Sequence, residues 1–315
     1  MVAAPKLIQH IREQMAKALV GQQEMQNLCV VALLCGGHAL LEGVPGIAKT
    51  LSIKVLSRVL RLGFQRVQCT SDLMPADIVG SNILNMATSK FELHRGPVFT
   101  DLLLVDEVNR MPPRTQAALL ECMEEHQVTI DGARQPLSAF FTVFATQNPI
   151  EFEGTYPLPE AQLDRFLLKI RMGYPDVKDE IQLLANVQQG FDARDLDRLN
   201  LSPIESALLD EARREIRQVT VQDSLFTYIV DLARRTREWP SLALGASPRA
   251  AVSLMAVAKA MAAMDGRDYL IPDDVKQASG PTLRHRIIVK PEAELEGVTP
   301  DQALQEVVRA VGVPK

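Results

Sequence analysis

The sequence predicts an α/β protein in which a parallel sheet flanked by helices precedes an all-helical second domain. Three features carry that expectation. A short apolar run, Ala39 to Leu41, enters a glycine-rich turn from Gly43 to Ala48, and the helix that follows sets Leu51, Val55, Leu56 and Val59 on one face. Four consecutive apolar residues, Leu102 to Val105, read as a strand buried on both faces and run into the acid pair Asp106 and Glu107. From Tyr174 onward strand patterns stop and helix starts recur, so residues 1–198 are assigned to the first domain and 199–315 to the helical one.

Composition narrows the class. With 47% hydrophobic against 23% charged residues, the 315-residue chain belongs with soluble globular proteins that have ample core. No apolar run is long enough for a membrane span, and MVAAPKLIQHIREQ at the start holds no continuous hydrophobic signal, so a cytoplasmic location is expected. The net charge of -5 argues against a protein built to coat nucleic acid. Cys29, Cys35, Cys69 and Cys122 lack short paired spacing and read as reduced, mostly buried thiols. The histidines are scattered, without zinc-ligand spacing.

The glycine-rich turn is a phosphate-binding loop by its chemistry. Backbone N–H groups from Gly43, Val44, Gly46, Ile47, Ala48 and Leu51, around Pro45, converge on an anion at the positive end of a helix dipole. Lys49 reaches the outer phosphates and the Thr50 hydroxyl faces magnesium. Ala48 stands where this pattern wants glycine, which requires a negative φ there.

Around the loop the elements follow in order. Helices over Lys6–Ala18 and Gln23–Leu34 flank Val20 and Gly21, whose backbone either meets an adenine edge or forms a plain helix–helix turn. Arg66–Thr70 reads as the second strand, followed by an insertion with a hairpin-like stretch before Gly96. Asp106 and Glu107 fall at the carboxyl edge of the sheet, where Asp106 would hold magnesium and Glu107 would polarise the attacking water. A helix from Pro112 sets Ala117, Leu120, Met123 and Glu124 on one face, and Asp131-Gly132 signals a hairpin. Phe140–Ala145 is a further strand, with Asn148 just beyond it either facing the terminal phosphate or capping the turn before Pro149. Arg165 sits at a corner before a last strand, Phe166–Ile170, where the residues alone favour a surface charge.

In the helical part, SPIE (Ser202–Glu205) reads as a capping box with Pro203 in the first turn, and further helices cover Leu225–Glu238 and open at Ser247, Pro272 and Thr299. Arg249 lies in a first helical turn, a costly place for a cation unless a phosphate joins it.

GVPGIAKT, LLLVDEVNR, ATQNP, EGTYPLPEAQLDRF and GASPRA together resemble the MoxR family of AAA+ ATPases, over most of the chain. The family tolerates alanine before the loop lysine. The resemblance implies a P-loop sheet ordered 5-1-4-3-2 with a helical lid, ATP and Mg2+ as ligands, and a homo-oligomeric ring, commonly a hexamer. It implies Asn148 as first sensor, Arg165 as the finger offered to a neighbour's nucleotide, and Arg249 as second sensor. It also implies a protein client and a von Willebrand factor A domain partner on a separate chain. A nucleic-acid motor, a metal-chelatase-like subunit and a nucleotide-gated scaffold are the competing readings. The acidic charge counts against the motor.

Overall fold

The computed structural model describes residues 1–44, 46–149 and 154–314. Its central sheet has five parallel strands: β1 (Ala39–Gly43), β2 (Phe64–Gln68), β3 (Leu102–Asp106), β4 (Thr142–Gln147) and β5 (Leu168–Met172). Across the sheet they run β2-β3-β4-β1-β5, which is the expected 5-1-4-3-2 order once two separate hairpins are left out of the numbering. Strand residues alternate between two cores. Ala39, Leu41, Leu102, Leu104 and Phe144 bury into one, and Leu40, Leu103, Val105, Val143 and Ala145 into the other. Both faces are therefore covered, which is why these strands read as unbroken apolar runs.

The ladder, not local propensity, sets the strand limits. Phe64 pairs with Leu102, Leu102 with Thr142, and Ala39 with Leu168, so β2 starts earlier than expected and β4 and β5 start later. Among the described residues, four longer helices belong to this part: α1 (Ala3–Met15), α2 (Gln23–Leu34), α3 (Lys49–Leu60) and α4 (Pro113–Glu125). The face of α4 differs from expectation. Thr115, Gln116, Leu119, Leu120, Cys122 and Met123 are buried, whereas Ala117 and Glu124 face outward. The hairpins are Gly80–Asn85 with Lys90–Arg95, and Gln127–Ile130 with Ala133–Pro136, turned at Asp131 and Gly132 in the left-handed region. Asn82 Nδ2 donates to Asp131 Oδ2 at 2.8 Å and ties the two hairpins together.

Six longer helices follow: α5 (Val177–Gln188), α6 (Ser206–Gln218), α7 (Asp223–Arg237), α8 (Pro248–Met264), α9 (Pro272–Leu283) and α10 (Pro300–Ala310). This part is not purely helical, because Leu242–Leu244 pairs with Ile288–Val289. The capping box at Ser202 does not form, and α6 begins only at Ser206. Ser202 N donates instead to Gln14 Oε1 at 2.9 Å, and Ile204 N donates to Val59 O at 2.7 Å. With those groups committed to α1 and α3, the segment stays extended and Pro203 never enters a first turn. Among the described residues, no helix is long and apolar enough to cross a membrane.

α1 packs along α6, and its open end is closed from there. The backbone N–H groups of Val2, Ala3 and Ala4 donate to the Glu215 carboxylate at 2.7, 3.0 and 2.9 Å, a cap supplied by a residue distant in sequence. Burial resists ionisation of Glu215, but these N–H donors outweigh it and hold its pKa below the usual 4.5. A depressed carboxylate stabilises the fold above its unfolded value and loses that contribution as pH falls through its folded value. Glu215→Gln is therefore expected to cost about 1 kcal/mol at pH 7. The gap to the parent should shrink as pH drops below 4.5, as read by thermal unfolding across that range.

Candidate nucleotide-binding site

The carboxyl ends of β1 to β4 open onto a cavity of about 660 Å³, of a size that takes a nucleotide. Gly46 to Ser52 line one wall at the N-terminus of α3, where the helix dipole favours an anion. Lys49 lies among them, and its Nζ donates to Gly43 O at 2.6 Å. Gly43 and Val44 support the loop from outside the cavity lining. Gly43 has no room for a side chain, since a Cβ would fall 2.6 Å from Ile47 Cδ1 and 2.7 Å from Met172 O. Pro45 lies outside the described residues.

Ala48 overturns the expectation of a negative torsion. It has φ 60° and ψ 24°, the left-handed conformation, because it caps α3 at the point where the loop reverses into the helix. A methyl group there costs roughly 1–2 kcal/mol relative to glycine.

The acid pair is wired to the neighbouring strands. Asp106 is buried, and its Oδ2 accepts from Arg66 Nε at 2.6 Å and from Thr50 Oγ1 at 3.4 Å. Its Oδ1 accepts from Thr146 Oγ1 at 3.1 Å. Glu107 sits at φ 58°, a strained position for a residue with a side chain, and its N–H donates to Thr146 Oγ1 at 2.9 Å. Its Oε2 accepts from Gln68 Nε2 at 2.9 Å and pairs with Arg110 Nε at 3.3 Å.

These residues fit a magnesium ion. Thr50 and Asp106 offer hard oxygen donors side by side, and the guanidinium on Asp106 shows that the carboxylate calls for a counter-cation. No group of three or more His, Cys, Asp or Glu among the described residues forms a full protein cage. That matches an ion held by one or two protein oxygens together with phosphates and waters.

Asn148, nearly buried, lines the same cavity beyond β4. The opposite wall is apolar, from Leu19, Val20, Pro175, Leu183, Val187 and Phe191. Val20 lines this cavity. Gly21 lines a separate cavity behind this wall. A Cβ on Gly21 would meet Asp179 Oδ2 at 2.0 Å.

Arg165 and Arg249 are absent from this cavity. Arg165 Nη1 donates to Leu120 O at 2.8 Å and its Nη2 pairs with Glu124 Oε2 at 3.1 Å, while Arg249 Nη1 stands 3.5 Å from Glu124 Oε1. One carboxylate on α4 thus gathers both cations on another surface of the chain. The phosphate contact expected for Arg249 is not made within its own chain.

Arg66, Gln68, Thr146, Asp179 and the apolar wall were not singled out from the sequence. Arg66 and Gln68 share a face of β2 by their spacing of two, a signal the sequence did contain. The wall comes from the loop after α1, from α5 and from the loops on either side of α5, and no local pattern links those segments.

Sheet, loop and lid together define a nucleotide-binding protein of the AAA class. A family profile described as "ATPase family associated with various cellular activities (AAA)" matches residues 38–168, and one described as "AAA lid domain" matches residues 234–307. The chain is 43% identical to the uncharacterized protein YeaC of Bacillus subtilis, over 98% of this chain and 94% of that one. It is 39% identical to chaperone MoxR1 of Mycobacterium tuberculosis, over 95% and 80% of the two chains. The crystal structure of a provisionally assigned ATPase from Cytophaga hutchinsonii superposes with a TM-score of 0.90 at 42% identity, covering 99% and 96%. The chain belongs to the MoxR family of AAA ATPases.

The torsion at Ala48 makes a measurable demand. Ala48→Gly should raise stability, or leave it unchanged, by relieving up to about 1 kcal/mol after the added entropy of the unfolded chain is counted. Nucleotide affinity should be retained. Ala48→Val should lower the unfolding temperature, and calorimetry on the three proteins orders them.

Proposed function

We propose that this protein is a Mg2+-dependent ATPase that works as a homo-oligomeric ring, a hexamer, in the cytoplasm and remodels or matures a client protein. The observation that carries the reading is the separation of its parts. The cavity holds Lys49, Thr50, Asp106, Glu107 and Asn148, yet the two arginines suited to a terminal phosphate sit together at Glu124, outside it. A neighbouring copy that offers this arginine pair would complete the site.

In that arrangement Lys49 and the loop backbone grip the triphosphate. Thr50 and Asp106 would hold the magnesium ion, which would neutralise charge on the phosphate oxygens. Glu107, released from Gln68, accepts a proton from the attacking water while Asn148 orients it. Arg165 and Arg249 from the adjacent protomer stabilise charge on the transferring group. Arg66, freed from Asp106, stays near the phosphates as a spare cation.

The proposed division at residues 198 and 199 makes the C-terminal part a lid. The Gly80–Arg95 hairpin exposes Ile83, Leu84, Met86 and Phe91, a surface suited to an unfolded or loosely folded protein client. The chaperone name carried by the Mycobacterium tuberculosis relative supports that choice of client. A von Willebrand factor A domain partner on a separate chain would deliver it.

Turnover per protomer should rise with protein concentration and level off as the ring forms. Lys49→Ala should abolish nucleotide binding. Glu107→Gln should bind ATP and retain it. Arg165→Ala should bind ATP normally yet lose about a thousandfold in turnover, measured by phosphate release alongside a fluorescent-nucleotide titration. Equal loss of binding in Arg165→Ala, or full activity in a strictly monomeric protein, would defeat the shared-site reading.

A further inference from the structure

Arg286 is a buried cation with a large set of partners. Its Nε donates to Asp164 Oδ1 at 2.6 Å, and its Nη1 donates to Leu167 O at 3.2 Å and Thr282 O at 2.5 Å. Its Nη2 donates to Asp164 O at 3.2 Å, Phe166 O at 2.9 Å and Ser253 Oγ at 3.3 Å. All five guanidinium N–H donors have an acceptor, in a side chain only 3% exposed.

The positions of those acceptors give the arrangement its meaning. Asp164, Phe166 and Leu167 flank Arg165 in the corner between the short helix Glu160–Leu163 and β5. Ser253 lies on α8 one turn beyond Arg249, on the same face. Thr282 anchors the arginine to α9. His285 reinforces the corner, since its Nε2 is also 2.8 Å from Phe166 O. One lid residue therefore fixes the backbone from which Arg165 projects and touches the helix that carries Arg249.

We infer that Arg286 is a positioning residue that holds Arg165 and Arg249 in one fixed relation, so that a protomer presents both to its neighbour's nucleotide as a unit. The inference rests on the shared-site reading above. Lysine cannot substitute. It keeps the charge beside Asp164, but one ammonium cannot reach acceptors spread over the corner, α8 and α9. A shift of about 1 Å in a group that stabilises the transition state can cost about a hundredfold in rate.

The test uses Arg286→Lys in the full chain and in mixed assemblies. Expected are a lowered unfolding temperature with the fold retained and a fluorescent-ATP affinity close to wild type, with turnover lower by about tenfold to a hundredfold. Excess Lys49→Ala protomers, which bind no nucleotide but carry intact Arg165 and Arg286, should restore turnover in the Arg286→Lys pockets. Protomers carrying both Lys49→Ala and Arg165→Ala should not. Turnover near wild type, or a defect that Lys49→Ala protomers fail to restore while they do rescue Arg165→Ala, would overturn the inference and leave the shared site standing. Failure to rescue Arg165→Ala itself would remove both. Should Arg286→Lys not fold, Asp164→Asn keeps an acceptor for Nε and goes through the same mixing, with a smaller loss and the same pattern of rescue expected.

Discussion

Asp106 is the point on which the active edge of this sheet depends. Its carboxylate accepts from Arg66 on β2, Thr50 on α3 and Thr146 on β4, so one buried charge joins three elements that are far apart in sequence. A buried carboxylate is tolerable only when paired and hydrogen-bonded. Meeting that requirement brings the phosphate loop, the acid pair and the end of β4 to the same place. Thr146 then serves twice, because its oxygen also receives the N–H of Glu107 and holds that residue in its strained torsion.

The lid is bound to the sheet through the edge strand rather than through the cavity. Arg284 Nη1 donates to Lys169 O at 3.3 Å, and its Nε pairs with Asp301 at 3.0 Å. Arg171 on β5 pairs with both Glu42 and Asp301. Together with Arg286 at the corner, these contacts set the lid's cations toward β5 and away from the loop. That geometry accounts for Arg249 lying beside Glu124. The helix that carries it meets the C-terminal turn of α4 instead.

Much of this was legible in the residues, for identifiable reasons. Leu102 to Asp106 is apolar without interruption because both faces of β3 are covered, and a run of that kind has few other readings. Thr299 and Gln302 cap α10 as the local pattern said, since nothing distant competes for those groups. Ser202 presents the same pattern and fails, because Gln14 takes its N–H first. The acid pair and the loop were visible because their chemistry is concentrated in a few adjacent residues. Arg66, Glu124 and Arg286 were not, since an isolated arginine or glutamate in a helix or strand looks like any solvated charge until its partner is known.

By itself, then, the sequence determined the class of sheet, the order of its strands through the family resemblance, and the loop and acid pair that line the cavity, because these follow from short-range periodicity and from contiguous motifs. Tertiary structure alone decided the left-handed torsion at Ala48, the Glu215 cap on α1, and the company that Arg165 and Arg249 keep. Each of these depends on which distant group arrives to satisfy a backbone donor or a buried charge, and only folding brings those groups together.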